Sequence, residues 1–149
     1  MLEANQQNLI AEFVQRNRFT SAFPDSMTPA AFVDALFTNA GLTPSEAERD
    51  AALHEFGSDS DIHDQAAKAR VLRMVSENPT LGRQEFNRAF VLMQYFGYLR
   101  RNPNEAPDMN FDGYNFWLEK LDRFNSNYEQ AEMVKAFIQS LEYRRRFGP

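Results

Sequence analysis

Apolar side chains recur every three or four residues along most of this chain, which is the period of an amphipathic α-helix. The alternation of apolar and polar residues that is typical of a half-buried strand does not extend over any convincing stretch. Proline, glycine and capping residues divide the apolar pattern into about seven helices. These begin near Leu2, Thr28, Thr43, Asp61, Arg83, Asp112 and Ser126. The pattern therefore predicts an all-α fold, a compact helical array.

Specific residues mark several of the predicted helix starts. Thr28 followed by Pro29 is typical of a start, because the hydroxyl can accept from a backbone N–H and proline has no N–H to leave unsatisfied. In a capping box, a hydroxyl and a carboxylate side chain satisfy two backbone N–H groups reciprocally. Two pairs match its spacing, and we expect them to begin the third and seventh helices: Thr43 with Glu46, and Ser126 with Glu129.

The fifth predicted helix, from Arg83 to Arg101, has apolar residues on nearly every side. Helices with this pattern are usually buried on all sides, whereas a surface helix has one apolar face. We therefore expect it to be the central helix of the array.

Two stretches of the chain repeat each other. The first helix matches the seventh at one constant shift, with Ile10 on Val134 and Phe13 on Phe137. The second to fourth helices match the fifth to seventh, and the later copy carries extra residues in the loop 106–112. Such repeats are typical of stacked helical arrays. We therefore divide the chain into a trailing helix at 1–24, a degenerate repeat at 28–81 and a well-formed repeat at 83–149, together one compact unit.

Composition narrows the classes of function. The chain has 149 residues, 43% of them hydrophobic, and its 14 phenylalanines predict an aromatic core. A net charge of −5 with both signs interspersed argues against a nucleic-acid-binding protein, which needs a clustered basic face. The lack of cysteine excludes a disulfide, a thiolate zinc site and an iron–sulfur cluster.

Neither a membrane span nor a signal peptide is predicted. A span needs a run of about 18 apolar residues, and none occurs. The first residues have neither the basic flank nor the hydrophobic stretch of a signal peptide. If the protein is exported, we expect its targeting segment to lie elsewhere.

The residues from Phe86 to Phe147 resemble a bacterial family, the domain-of-unknown-function family 4214. The residues that carry the resemblance are Gly113-Tyr114, Phe116-Trp117-Leu118, Ala136-Phe137, Ser140, Glu142-Tyr143 and Arg146-Phe147. It extends faintly over about 8–81, where Glu48 and Ala52 stand in place of the glycine and tryptophan of the aromatic opening. The resemblance implies a helical domain, distantly similar to phycobilisome linker domains and appended to secreted or cell-surface proteins. It also implies a noncatalytic binding or assembly module, and it supplies no catalytic residues.

The segment that begins at Asp108 matches the calcium-loop pattern. Asp108, Asn110 and Asp112 place oxygen ligands at alternate positions, a glycine follows, and Glu119 stands at the twelfth position. Asn115 departs from the pattern, because an apolar residue is expected at the eighth position. The alternative is that Asp112 caps the sixth helix. The sequence therefore leaves two interpretations of this segment, a calcium site and a helix start.

Two arginine clusters are candidates for ligand binding. Arg100-Arg101 and Arg144-Arg145-Arg146 could bind an acidic glycan, a phosphate or partner carboxylates through bidentate hydrogen bonds. Both clusters also end predicted helices, where cations interact favourably with the helix dipole and cap carbonyls. We take Arg100, Arg101, Arg144 and Arg145 as candidate binding residues.

Phe116 is the aromatic candidate for ligand binding. Tyr114 and Trp117 fall on the apolar stripe of the sixth helix, a position that is typical of the core. Phe116 lies off that stripe, which favours the surface.

No set of residues predicts catalysis. His54 and His63 are the only histidines, and neither has a nucleophile or a second metal ligand at a suitable spacing. We therefore expect a noncatalytic module of a larger bacterial protein, extracellular or on the cell surface, without a cofactor unless calcium binds. Its function would be interaction, anchoring or self-assembly, with a protein or an acidic glycan as partner. The alternatives are a calcium-binding regulatory module using the loop 108–119 and an accessory domain of a glycan-active enzyme.

Overall fold

The computed structural model describes residues 2–148, and it is helical without any strand across them. A π-helical turn, Tyr95–Leu99, extends the sixth helix. The nine α-helices of the described part are α1 (Leu2–Phe13), α2 (Asn17–Ala22), α3 (Pro29–Asn39), α4 (Glu46–His54), α5 (Gln65–Ser76), α6 (Pro79–Gln94), α7 (Asp112–Arg123), α8 (Met133–Gln139) and α9 (Leu141–Phe147). The predicted all-α fold is confirmed. Nine helices replace the predicted seven because the first and last predicted helices each break in two.

Both breaks place an extended residue inside a predicted helix. Arg16 is extended before α2, and Val14, beside this break, is fully buried. Ser140 is extended between α8 and α9, and its Oγ accepts from the backbone N–H of Tyr143 at 3.1 Å. Ser140 therefore starts a new helix where the sequence predicted a continuous one.

The chain divides into two compact units, with the boundary between Gly82 and Arg83 inside α6. The sequence predicted one compact unit, although it placed the start of a repeat at the same residue. The interpretation of the units as copies of each other stays a prediction.

The first unit has an aromatic core. In it α1 packs on α5, while α3 packs on both α4 and α5. The ring of Phe32 lies edge-on to the rings of Phe23 and Phe56, with centroids 5.2 and 5.8 Å away. Edge-to-face contacts are among the preferred arrangements of aromatic pairs. The remaining buried apolar residues are Val14, Phe19, Val33, Leu36, Phe37, Ala52, Ile62, Ala67, Val71 and Val75.

Two helix starts in the first unit test the predicted caps. Thr28 Oγ1 accepts from the N–H of Ala31, so the predicted start of α3 is confirmed. The capping box of α4 is formed by Ser45 and Glu48. The prediction of Thr43 and Glu46 was therefore wrong, because the chain turns helical after Ser45 and Glu46 is already the first residue of the helix.

The first unit also buries a cation. The side chain of Lys68 is inaccessible to solvent, and its Nζ donates to Asp25 Oδ1 at 2.6 Å. This hydrogen bond is the main reason why the pKa of Asp25 lies below its ordinary value. The pair ties the segment before α3 to α5.

The core of the second unit forms around the π-helical turn, against which α8 and α9 pack. The ring of Phe137 lies edge-on to the ring of Tyr95, with centroids 5.2 Å apart. The other buried apolar residues of this core are Val91, Leu99, Leu121, Ala131 and Met133.

The predicted capping box at Ser126 is not formed. Ser126 adopts a left-handed conformation (φ 66°), and its N–H donates to the carbonyl of Leu121, so it closes α7. The Oδ1 atom of Asn127 accepts from the N–H of Gln130 instead, and α8 begins later, at Met133.

The fifth predicted helix corresponds to α6 with its π-helical turn, and it is not buried on all sides. Phe86 and Met93 are 57% and 59% exposed, whereas Asn87 and Gln94 on the same helix are buried. The expectation of a central helix was therefore wrong. Because most residues of this helix are apolar, the pattern did not indicate that Asn87 and Gln94 lie on its buried side.

Candidate interaction site on the second unit

Arg101 organises the loop that leads to α7. The residue is buried, with only 8% of its surface exposed. Its Nε donates to Glu142 Oε1 at 2.7 Å. Its Nη2 donates to Glu142 Oε2 at 3.1 Å and to Asp108 Oδ2 at 2.6 Å. Its Nη1 donates to the backbone carbonyls of Asn102, Pro103 and Glu105. The guanidinium therefore joins this loop to α9.

Arg101 has a structural role in place of the predicted binding role. Burial lowers its pKa, but the hydrogen bonds to Glu142 and Asp108 outweigh burial and raise the pKa above its ordinary value. The ring centroid of Tyr95 lies 5.2 Å from the guanidinium carbon. Since all three nitrogens already donate within the chain, Arg101 has no donor left for a partner.

A close approach explains the glycine at the start of the aromatic opening. A Cβ atom at Gly113 would lie 2.6 Å from the Tyr95 hydroxyl oxygen. Tyr95 is buried between Phe137 and Arg101, so its ring has little room to move aside. Burial, together with the charge of Asp108, also raises the pKa of Tyr95. Position 113 therefore requires a residue without a side chain.

A cavity of about 250 Å³ lies beside Arg101, and we call it the inner cavity. Trp117 lines it together with two acids, Asp108 and Glu142. Both carboxylates are bound to Arg101, so neither is an uncommitted general acid or base. The other residues that line the inner cavity are Tyr95, Leu99, Gly113, Ala136, Phe137 and Ser140.

The aromatic residues of α7 lie where the apolar stripe predicted. Tyr114 and Trp117 pack against the core, and the Tyr114 hydroxyl donates to the carbonyl of Arg88 at 3.1 Å. Phe116 is 58% exposed and lies edge-on to Trp117. The surface position of Phe116 is confirmed, while its role in binding stays a prediction.

An open depression of about 600 Å³ joins the loop 106–107 to α9, and we call it the arginine depression. Arg145 and Arg146 are exposed and line it, as does Leu141, which is 71% exposed. Glu142 lines it too, but its carboxylate is bound to Arg101. The remaining lining residues are Ala106 and Pro107. The depression thus places two cations beside an aliphatic surface.

The three arginines of the predicted cluster in α9, Arg144 to Arg146, do not form a single patch. Arg144 lines a different depression, of about 480 Å³, together with Tyr143 and Phe147. Arg100 is exposed in a left-handed conformation (φ 54°) that ends the π-helical turn.

The residues of the predicted calcium loop have separate partners. Asp108 binds Arg101, Asn110 bonds to Asp112, and Glu119 pairs with Arg123. Glu119 follows Asp112 by seven residues of α7, a rise of roughly 10 Å along the helix. Within residues 2–148, no three histidine, cysteine, aspartate or glutamate side chains form a group that could hold a metal ion.

The start of α7 shows that the predicted cap at Asp112 was wrong. Asp112 is the first residue of α7, and its backbone N–H donates to Asn110 Oδ1 at 2.9 Å. The carboxylate of Asp112 accepts from Asn110 Nδ2 at 3.0 Å. Asn110, rather than Asp112, therefore supplies the acceptor at this helix start, while calcium binding stays a prediction.

Both histidines belong to the first unit. His63 is exposed and bonds to Asp61, whose hydrogen bond raises the pKa of His63. His54 is exposed at the end of α4.

Sequence reasoning did not identify Leu141 or Glu142 as parts of a site. Leu141 stood on the predicted apolar stripe of the seventh helix, and only the break at Ser140 turns it to solvent. Arg146 was recognised in the arginine run but was not singled out. The one available signal was the serine before Leu141, because serine is common at helix starts.

None of the helices formed by residues 2–148 has the length and apolar character that crossing a membrane requires. The chain was compared with protein-family models, with curated proteins and with solved structures, and it matches none of them.

Proposed function

We propose that this chain is a noncatalytic interaction module whose arginine depression binds an acidic segment of a partner protein. The observation that carries the proposal is the position of Arg145 and Arg146 beside the exposed side chain of Leu141. The family resemblance supports a place at the cell surface within a larger bacterial protein. An acidic glycan is the competing ligand.

Charge supports an anionic ligand. Glu142 is the acid that lines the depression, and its carboxylate is bound to Arg101, so it competes little for Arg145 and Arg146. Arginine binds carboxylates through two parallel hydrogen bonds. The depression therefore favours a carboxylate although the whole chain has a net charge of −5.

The aliphatic part of the depression favours a peptide over a sugar. Leu141, Pro107 and Ala106 supply apolar contacts, and no aromatic ring is among the residues that line this depression. Sugar sites commonly use an aromatic ring as a stacking platform, whereas aliphatic side chains of a peptide pack well on leucine and proline. We therefore expect a segment in which acidic and apolar residues alternate.

Calorimetric titration with a synthetic peptide of alternating glutamate and leucine tests the proposal. We expect binding that weakens with added salt, because salt screens exposed charges. Arg145→Glu should weaken it about tenfold or more, since a repulsive contact replaces an attractive one. The matched control is Arg18→Glu, an equal change in charge at an exposed residue of α2.

Two further ligands test whether the partner is an acidic peptide or an acidic glycan. A peptide of alternating lysine and leucine should not bind. Binding of a uronic acid oligomer without binding of the glutamate peptide would favour the glycan and contradict the proposal. Equal weakening by Arg145→Glu and Arg18→Glu would also contradict it, because the interaction would then depend only on net charge.

A further inference from the structure

We infer that the inner cavity binds a small primary ammonium ion. This cavity is distinct from the arginine depression, and the inference does not depend on the proposed function. Its volume of about 250 Å³ lies below the range of about 300–1,000 Å³ that is usual for sites of drug-sized ligands. We therefore expect an occupant of few heavy atoms.

The Tyr95 hydroxyl is a buried polar group without a partner in the described part of the chain. Tyr95 is only 3% exposed, and its hydroxyl makes no hydrogen bond within residues 2–148. Tyr95 and Gly113 both line the inner cavity, and the hydroxyl oxygen lies 2.6 Å from the point where a Cβ atom of Gly113 would stand. A buried tyrosine hydroxyl usually has a hydrogen-bond partner. A ligand in the cavity can supply this partner.

Asp108 brings a second acceptor to the same place. Its Oδ2 lies 3.7 Å from the same point beside Gly113 and accepts from Arg101. Its Oδ1 accepts no hydrogen bond from the described residues, whereas both carboxylate oxygens of Glu142 accept from Arg101. Since Asp108 and Tyr95 both line the cavity, they offer it two unoccupied acceptors, the Oδ1 atom and the hydroxyl oxygen.

Charge selects a cation for these acceptors. Asp108 and Glu142 share the single guanidinium of Arg101, which leaves one negative charge in excess beside the cavity. An anion in the cavity would meet the carboxylate of Asp108 next to the first turn of α7, and Arg101 has no donor left for it. A primary ammonium group has three N–H donors. It can therefore donate to both free acceptors and offset the excess charge.

The aromatic walls suit the hydrocarbon part of such a ligand. The ring centroid of Phe137 lies 5.2 Å from that of Tyr95 and 5.7 Å from that of Trp117. Lys120 Nζ already lies 5.1 Å from the Trp117 ring centroid, so a second cation is not favoured at that ring. We therefore place the ammonium group beside the two free acceptors and the hydrocarbon against Trp117 and Phe137.

An NMR titration of the ¹⁵N-labelled chain at pH 7 with benzylamine and n-butylamine tests the inference. Both amines carry a proton at this pH, like the lysine side chain. We expect each to shift the Trp117 indole and Gly113 amide resonances until the cavity is saturated. Benzyl alcohol and n-butanol, the neutral counterparts, should bind about tenfold more weakly or less, and so should tetramethylammonium, which has no N–H to donate. Lack of saturable shifts with both amines, or equal binding of the amines and any of these three probes, would overturn the inference.

Two variants assign the acceptors. Tyr95→Phe removes the hydroxyl but keeps the ring, and Asp108→Asn removes the charge but keeps a carbonyl oxygen for Arg101. Each should weaken benzylamine binding about tenfold. Glu119→Gln is the matched control and should leave binding unchanged, because it removes the same charge from an exposed residue of α7 that pairs with Arg123. Equal weakening by Asp108→Asn and Glu119→Gln would contradict the assignment of the inner cavity as the site.

Discussion

Within residues 2–148, each unit buries one cation, and the two cations differ greatly in their hydrogen-bond partners. Lys68 in the first unit has one hydrogen-bond partner for its Nζ within the described residues, the half-exposed Asp25. Arg101 in the second unit binds two acids and three backbone carbonyls. Lys68 thus fastens one short segment to α5, whereas Arg101 shapes a whole loop and fixes it to α9.

We expect the cost of removing a buried cation to depend on how many groups it satisfies. Removal of a buried cation leaves its partners unsatisfied, and that loss exceeds the intrinsic value of an ion pair. Many groups depend on Arg101, and one depends on Lys68. The loop fixed by Arg101 also forms one wall of the arginine depression.

Arg101→Met should cause the largest loss. We expect the free energy of unfolding of the second unit to fall by about 3–5 kcal/mol, because two carboxylates and three carbonyls lose their donor. The only tryptophan, Trp117, and all five tyrosines belong to this unit, so tryptophan fluorescence during urea unfolding reports on it alone. A loss below about 1 kcal/mol would show that water replaces the guanidinium readily.

Gly113→Ala should cost the second unit about 1–3 kcal/mol, because the new methyl group overlaps the Tyr95 hydroxyl. Tyr95→Phe removes that hydroxyl. In the Tyr95→Phe background, Gly113→Ala should instead stabilise by about 0.5–1 kcal/mol, since alanine favours helix over glycine. Urea unfolding of the four proteins measures this reversal of sign, and additive effects would contradict the close contact.

Ser45→Ala should destabilise the first unit by about 1 kcal/mol, because α4 loses its capping box. Thr43→Ala is the control and should change stability by less than about 0.5 kcal/mol. Hydrogen exchange of the α4 amides measures both effects. A larger loss of stability from Thr43→Ala than from Ser45→Ala would instead support the cap that the sequence predicted.

Lys68→Met should have the smallest effect, within about 1 kcal/mol for the first unit, because an apolar side chain fills the buried site and Asp25 stays hydrated. Hydrogen exchange of the α5 amides measures it.

The same variant should change the acid sensitivity of the first unit. The lowered pKa of Asp25 stabilises the fold above the ordinary pKa of aspartate, and this stabilisation is lost as the pH falls through the folded-state pKa. Lys68→Met should therefore lose less stability than the natural chain on acidification. Unfolding at pH 7 and pH 3 checks this, and equal acid sensitivity would show that Lys68 does not set the pKa of Asp25.

Signals between neighbouring residues were enough to predict the helical fold. The interaction site, in contrast, depends on contacts between residues that are far apart in the sequence. The cap at Thr28 acts through neighbouring residues, so the sequence was sufficient to place it. The burial of Arg101 depends on Glu142, 41 residues away. No local pattern distinguishes such an arginine from the exposed Arg100 beside it.

The most direct test of the proposed function is an NMR titration of the ¹⁵N-labelled chain with the peptide of alternating glutamate and leucine. The account predicts that amide and arginine side-chain resonances of Ala106, Leu141, Arg145 and Arg146 shift, while the Trp117 indole resonance stays in place. Shifts centred on the Trp117 indole and Gly113 would place the ligand in the inner cavity and contradict the account.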